Sequence, residues 1–368
     1  MVLNFNFFKY KFRKIQLKKN FYSINFKIII LKLYMSRKET IDIIKTKDVL
    51  ISIPKDYHFS IGTSPYYAHQ NALAIDIYKN FSLQNHVALS PIEGKVLKVK
   101  ELLAPRAKFK DGLNKDYLIL ISNSSNQNLV YKILHVRPEV TEGDHVYLGD
   151  PLGSMIRNGY FAYWSSPHLH LEIRYKNDAV RARGGMSFIF SSEIKNCFKK
   201  EKIQFERFNK PLYNVERKIN KIPIKIVNVF PEFIMGRFPK EFYVKINNII
   251  GVKGELKKYF TKEIQNCIID GGIPMYKQGV VIFEKNIKFQ ENLSLFFRNC
   301  EIGQLNNTRE NFGFLKFRKI KFFLNDREIK GVSLFLAISF LPLIKIIPKE
   351  INEFLLQKNE IHFLSLNS

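Results

Sequence analysis

The chain has 368 residues, 46% of them hydrophobic and 25% charged, a balance that excludes a disordered or fibrous polymer and a length that predicts two domains, each able to bury a core. Lys and Arg total 59 against 33 Asp and Glu, for a net charge of +26 that would draw nucleic acid, anionic lipid or an acidic polymer; the chain is equally saturated in Ile, Asn and Phe, a skew that an AT-rich genome produces without any partner. Cys197, Cys267 and Cys300 are odd in number and far apart, which excludes a disulfide framework and a CxxC metal site.

Residues 1–48 read as a basic extension. Within the first 34 positions, Lys9, Lys11, Arg13, Lys14, Lys18, Lys19, Lys27 and Lys32 stand without a single acidic residue, and Met35-Ser36-Arg37-Lys38 offers an alternative translation start. The only apolar run there, Ile28 to Leu31, ends at Lys32 and is too short for a signal-peptide core or a membrane span. A cytoplasmic location is the expectation, with secretion or surface display by an unrecognised route as the alternative.

From Val49 the chain changes to short apolar runs punctuated by Gly, Pro, Asn and Asp, the pattern of an all-β domain, expected over 49–190. Val87 to Val99 predicts two strands turned at Glu93-Gly94. Tyr117 to Ile121 and Leu129 to Val136 predict a hairpin across Ser122 to Asn128. Val140 to Gly153 holds tight-turn signals around one very short strand. Arg181 to Gly185 reads as a flexible basic loop, and 191–204 as a charged connector with a short helix. A second β-rich domain is expected over 205–368, from runs such as Ile222 to Val229, Phe242 to Ile246, Gly279 to Phe283, Phe314 to Phe323 and Gly331 to Ile347. Pro342 and Lys345 break the last of these, so buried strands are expected there rather than a membrane helix.

The chemistry concentrates in Ser166-Pro167-His168-Leu169-His170-Leu171-Glu172-Ile173-Arg174. As a strand, this stretch sets His168, His170, Glu172 and Arg174 on one face and Pro167, Leu169, Leu171 and Ile173 on the other. Two imidazoles two positions apart share one space, where one can hold a metal and the other can handle protons. Upstream, Asp76 follows His69 by seven positions and lies between Ile75 and Ile77. A carboxylate among apolar neighbours needs a cation, and a divalent metal shared with His69 supplies one. His135 lies at the end of the strand Leu129 to Val136, where a side chain can lean over a cleft.

In this order, these elements resemble the M23 family of zinc metallopeptidases, the lysostaphin and LytM type. Its H-x(n)-D element, its strand-terminal histidine, its V-x-x-G-D-x-V-x-x-G hairpin and its G-P-H-L-H-[FL]-E strand correspond to His69…Asp76, Tyr131…His135, Val140 to Gly149 and Ser166 to Glu172. The resemblance runs from about Ile51 to Arg174. It implies a compact antiparallel β-sheet metallopeptidase core, with His69, Asp76 and His170 binding Zn2+ and leaving a fourth position for water. It implies that His135 and His168 act as general base and transition-state stabiliser, the division between them being left open. Glu172 and Arg174 stand as supports, substrate contacts or an ordinary surface ion pair. Ser165-Ser166 replaces the usual Thr-Gly before Pro167, and Leu134-His135-Val136 replaces the commoner Ala-His-Leu; neither removes a ligand or proton carrier. The implied activity is zinc-dependent endopeptidase action on a peptide or peptidoglycan-like substrate. The alternative is a non-catalytic module recognising a polymer or protein partner. No specific nucleic-acid binding is expected, because no base-reading motif accompanies the charge.

Overall fold

In a computed structural model, residues 40–187, 221–258, 263–284, 293–309 and 311–367 are described. The expected connector 191–204 and the first 39 positions lie outside them. The described residues form a mainly β protein. Its strands β1 (Thr40–Lys45), β2 (Leu50–Pro54), β3 (His58–Ser60), β4 (Ala74–Tyr78), β5 (Val87–Leu89) and β6 (Gly94–Leu103) include one four-residue helix, α1 (Tyr67–Gln70), before β4. β7 (Lys115–Ser122), β8 (Leu129–Leu134), β9 (Val136–Pro138), β10 (His145–Val146), β11 (Pro151–Met155) and β12 (Leu169–Tyr175) complete the N-terminal part.

Seven of these strands form an antiparallel sheet in the order β10-β6-β7-β8-β12-β4-β3. β12, which carries the two histidines, is therefore an interior strand flanked by β4 and β8. The hairpin β7–β8 and the short β10 stand where the apolar runs and turn residues predicted them. β12 departs from the expected half-buried strand in one respect: every residue from Leu169 to Arg174 is buried, on both faces. Its polar face is roofed by the 178–186 segment, which the Arg174 guanidinium holds by donating to the carbonyls of Asp178, Arg181, Arg183 and Gly184. The basic loop at 181–185 is thereby anchored, and Glu172 and Arg174 form a buried ion pair, not one on the surface.

The C-terminal strands belong to a fourteen-stranded sheet. Within it, Ile249–Lys258, Leu293–Phe297, Cys300–Arg309, Phe312–Phe317, Gln278–Ile282 and Ile264–Ile273 pair in a closed ring, because Ile264–Ile273 also pairs with Ile249–Lys258. Closure of this antiparallel barrel removes the edges that such strands would otherwise expose. The run Phe314 to Phe323, expected as one strand, divides into Phe312–Phe317 and Lys321–Leu324, which pair with different neighbours.

Ile41–Ser368 forms one unit. Its main core cluster joins Ile51, Phe59, Ile75, Ile133 and Leu171 to Ile249, Ile268, Val280, Phe312 and Leu336. The edge strand β3 meets the C-terminal part directly: the amide of Phe59 donates to the Leu336 carbonyl at 3.0 Å, and Leu336 donates back at 2.8 Å. Among the described residues, no helix is long and apolar enough to cross a membrane.

Candidate metal centre

The register of β4 against β12 pairs Asp76 with His170, so carboxylate and imidazole stand side by side on one face of the sheet. Next to them, α1 delivers His69. The ligating atoms of His69, Asp76 and His170 all lie within 4.8 Å of one another, and all three residues are buried. His69 Nε2 is 3.2 Å from both Asp76 Oδ1 and His170 Nδ1, and His170 Nδ1 is 2.9 Å from Asp76 Oδ1.

Hydrogen bonds on the far side of each ring decide which nitrogen faces inward. His69 Nδ1 donates to the Ile61 carbonyl at 2.7 Å, an oxygen that can only accept, so Nε2 turns its lone pair toward Asp76. His170 Nε2 donates to Glu172 Oε1 at 3.1 Å, which leaves Nδ1 facing Asp76. Two imidazole lone pairs and a carboxylate converging on one point repel each other unless a cation lies between them, and two nitrogens with one oxygen suit zinc. The electrostatics point the same way. Burial opposes charge on Asp76, yet the surrounding His168, His69 and His170 hold its carboxyl well below the usual range. Burial also opposes charge on His170, but its hydrogen bonds to Asp76 and Glu172 outweigh that and lift it to about 9. Without a metal, a proton on His170 Nδ1 thus meets Asp76 Oδ1, and a cation taken up here would displace that proton to use the Nδ1 lone pair.

His168 differs from His170 although it lies two positions away. Burial pushes it down to about 4, against the pull of Asp76. Its Nδ1 donates to the Ser166 carbonyl at 2.9 Å, so the neutral ring directs the Nε2 lone pair inward, 3.4 Å from Asp76 Oδ2. His135 stands between β8 and β9 at φ 66°, where the chain kinks. Its Nδ1 is 2.8 Å from Asp116 Oδ2, at an angle outside hydrogen-bond geometry, while its amide donates to Asp116 Oδ1 at 3.0 Å. Burial raises the Asp116 carboxyl, but the neighbouring His135 outweighs it and holds the group below its usual value. The His135 ring lies 5.4 Å from that of His168 and 5.5 Å from that of His170, with Phe161 packed against both His135 and His168.

Behind His170, Glu172 anchors a buried network. It accepts from Lys132 Nζ at 3.0 Å and from Arg174 Nη1 at 2.8 Å. Burial works against its charge, but His170 and Lys132 bring it down to about 2. All five expected residues, His69, Asp76, His135, His168 and His170, line one cavity of about 630 Å3. Tyr66, Tyr67, Tyr160 and Phe161 form aromatic walls, and Tyr276 reaches in from the C-terminal part. Asp116, Lys132 and Tyr276 escape a reading of the sequence. The first two carried a usable signal, since each is a charge set against an apolar strand, as Asp76 is.

A family model described as the N-terminal domain of a domain of unknown function, DUF8155, matches residues 47–190. No curated protein matches the chain. Similar solved structures include a crystal structure of a SpoIIIAH and SpoIIQ complex, 21% identical over 32% of this chain and 68% of that one, with a TM-score of 0.22. They also include lysostaphin from Staphylococcus simulans, described as an antimicrobial peptidase, 14% identical over 72% of this chain and 95% of that one, with a TM-score of 0.25.

Proposed function

We propose that the chain is a zinc-dependent metalloendopeptidase of the M23 type, acting on a peptide or peptidoglycan-like substrate. The observation that carries this reading is the convergence of His69 Nε2, Asp76 Oδ1 and His170 Nδ1, the two imidazoles each fixed from behind, in a cavity that His135 and His168 also line. Zinc held by these three residues would polarise a scissile carbonyl and acidify water toward a pKa of about 7. His168, neutral and with its inward Nε2 unprotonated, is suited to take a proton from the attacking water and pass it to the leaving amine. His135, with the Asp116 carboxylate 2.8 Å from its Nδ1, is placed to donate to the oxygen on which charge develops. A purely recognising module has no use for two oriented imidazoles beside an open three-ligand set, which favours the enzyme over the binding alternative.

Elemental analysis tests the reading. About one zinc per wild-type chain is expected, with the metal lost in His69→Ala, Asp76→Ala and His170→Ala, and peptide hydrolysis lost in His168→Ala with zinc retained. A wild-type chain that takes up no zinc after reconstitution overturns it.

A further inference from the structure

Two charged side chains of the C-terminal sheet end on the segments that precede the site histidines. Asp270, on the strand Ile264–Ile273, is completely buried. Its Oδ1 accepts from Ser60 Oγ at 2.7 Å, and its Oδ2 accepts from the amides of Ile61 at 2.6 Å and Gly62 at 2.9 Å. The Ile61 carbonyl is the one that holds His69 Nδ1. Gly62 permits this approach, since a Cβ there would lie 2.4 Å from the Asp270 carbonyl oxygen and 2.9 Å from the Val280 nitrogen.

Lys345, on the strand Ile344–Ile347, is 2% exposed. Its ammonium donates to the Trp164 carbonyl and to Ser166 Oγ, both at 2.8 Å, and lies 4.1 Å from the centre of the Phe233 ring. Ser166 is the residue whose carbonyl holds His168 Nδ1. It stands where glycine is usual in the motif, so the hydroxyl that Lys345 uses is a departure of this chain. A buried carboxylate and a buried ammonium are costly, and apolar residues would pack these positions more cheaply. Each is met by polar groups of a histidine-bearing segment.

We infer that Asp270 and Lys345 are positioning residues of the metal centre, Asp270 orienting His69 through the Ser60–Gly62 backbone and Lys345 orienting His168 through Ser166. The C-terminal sheet is then a working part of the site. This rests on the metallopeptidase reading for the roles of the two histidines, but not for their orientation.

The test uses the full chain, metal-free, with 15N-labelled imidazoles, comparing wild type with Asp270→Asn and Lys345→Met. Wild type should show protected Nδ1 protons on both His69 and His168. Asp270→Asn should lose protection at His69 alone and weaken zinc binding, measured by competition with a chromophoric chelator, by about 10- to 100-fold. Lys345→Met should lose protection at His168 alone and lower kcat more than it changes zinc affinity. A merely structural contribution would lower the melting temperature and leave both imidazole signals in place, and that result overturns the inference. Should either variant fail to fold, Ser60→Ala and Ser166→Ala remove the bonds to Asp270 and from Lys345, together with one further bond each, from the Thr63 amide and to the Phe81 carbonyl, and decide by the same signals. A wild type that binds no zinc sinks the metallopeptidase reading, while the imidazole signals still decide the positioning.

Discussion

Glu172→Gln probes how the buried charges behind the site hold the His170 imidazole. The carboxylate accepts from Lys132 and His170 at Oε1 and from Arg174 at Oε2. Glutamine keeps one acceptor oxygen and turns an NH2 donor on either the Lys132 and His170 pair or on Arg174, so donor meets donor in both orientations. Removing one partner of a buried charge network costs about 3 to 5 kcal/mol. The lower end, about 3 kcal/mol, is expected here, because Lys132 retains the Arg181 carbonyl and Arg174 retains four backbone carbonyls. His170 either loses the acceptor that fixes its Nε2 proton or keeps only a neutral amide oxygen in place of the carboxylate, so Nδ1 is held less firmly as a lone pair, and zinc affinity should fall about 10- to 100-fold. Urea unfolding of the metal-free protein measures the first effect, and chelator competition the second. A variant within about 1 kcal/mol of wild type and with unaltered zinc affinity would refute the assignment of Glu172 as the anchor of His170.

His135→Ala should abolish hydrolysis and leave zinc content at one per chain; loss of the metal would instead place His135 among the ligands. Gly62→Ala should destabilise the protein by about 1 to 3 kcal/mol in urea unfolding, because the added methyl meets backbone atoms on two sides, and an unchanged midpoint would show that the 60–63 segment can shift away. Burial raises Asp270 from its ordinary 3.8 to about 6, against three hydrogen bonds that favour the charge. The folded chain therefore retains a proton that the unfolded chain releases, so this contribution is fully present below pH 4 and is lost as pH rises through 6. Wild-type stability relative to Asp270→Asn should fall by roughly 3 kcal/mol from pH 4 to pH 7, and a pH-independent difference in urea unfolding would contradict it.

The parts of the site that a sequence discloses are those whose meaning is local. Alternation from His168 to Arg174 specifies a strand with a chemical face, and Asp76 between Ile75 and Ile77 announces a carboxylate that needs a cation; both are read within one strand. The fate of Glu172 and Arg174 is less legible, because burial of that face depends on the 178–186 segment folding back over it, and nothing in those residues announces that contact. The kink at His135 is similarly hidden, since a positive φ at a histidine has no signature as strong as a glycine.

Asp270 and Lys345 show where local reading stops. Each is a lone charge in an apolar run, Ile268-Ile269-Asp270 and Ile344-Lys345-Ile346, which is the signal that singles out Asp76. Near Asp76 a histidine stands within the same short segment, so a partner suggests itself. Asp270 instead meets Ser60, 210 positions away, and Lys345 meets Ser166, 179 positions away. Without that partner Lys345 reads as a residue that interrupts a membrane span. A half of the chain with a single histidine, His362, therefore looks irrelevant to metal chemistry when scanned for ligands. Scanned for charges that an apolar strand cannot bury alone, it yields the two side chains that touch the segments leading to His69 and His168. The search for a metal site in a β-rich chain is better made over unpaired buried charge, wherever it falls, than over ligand types alone.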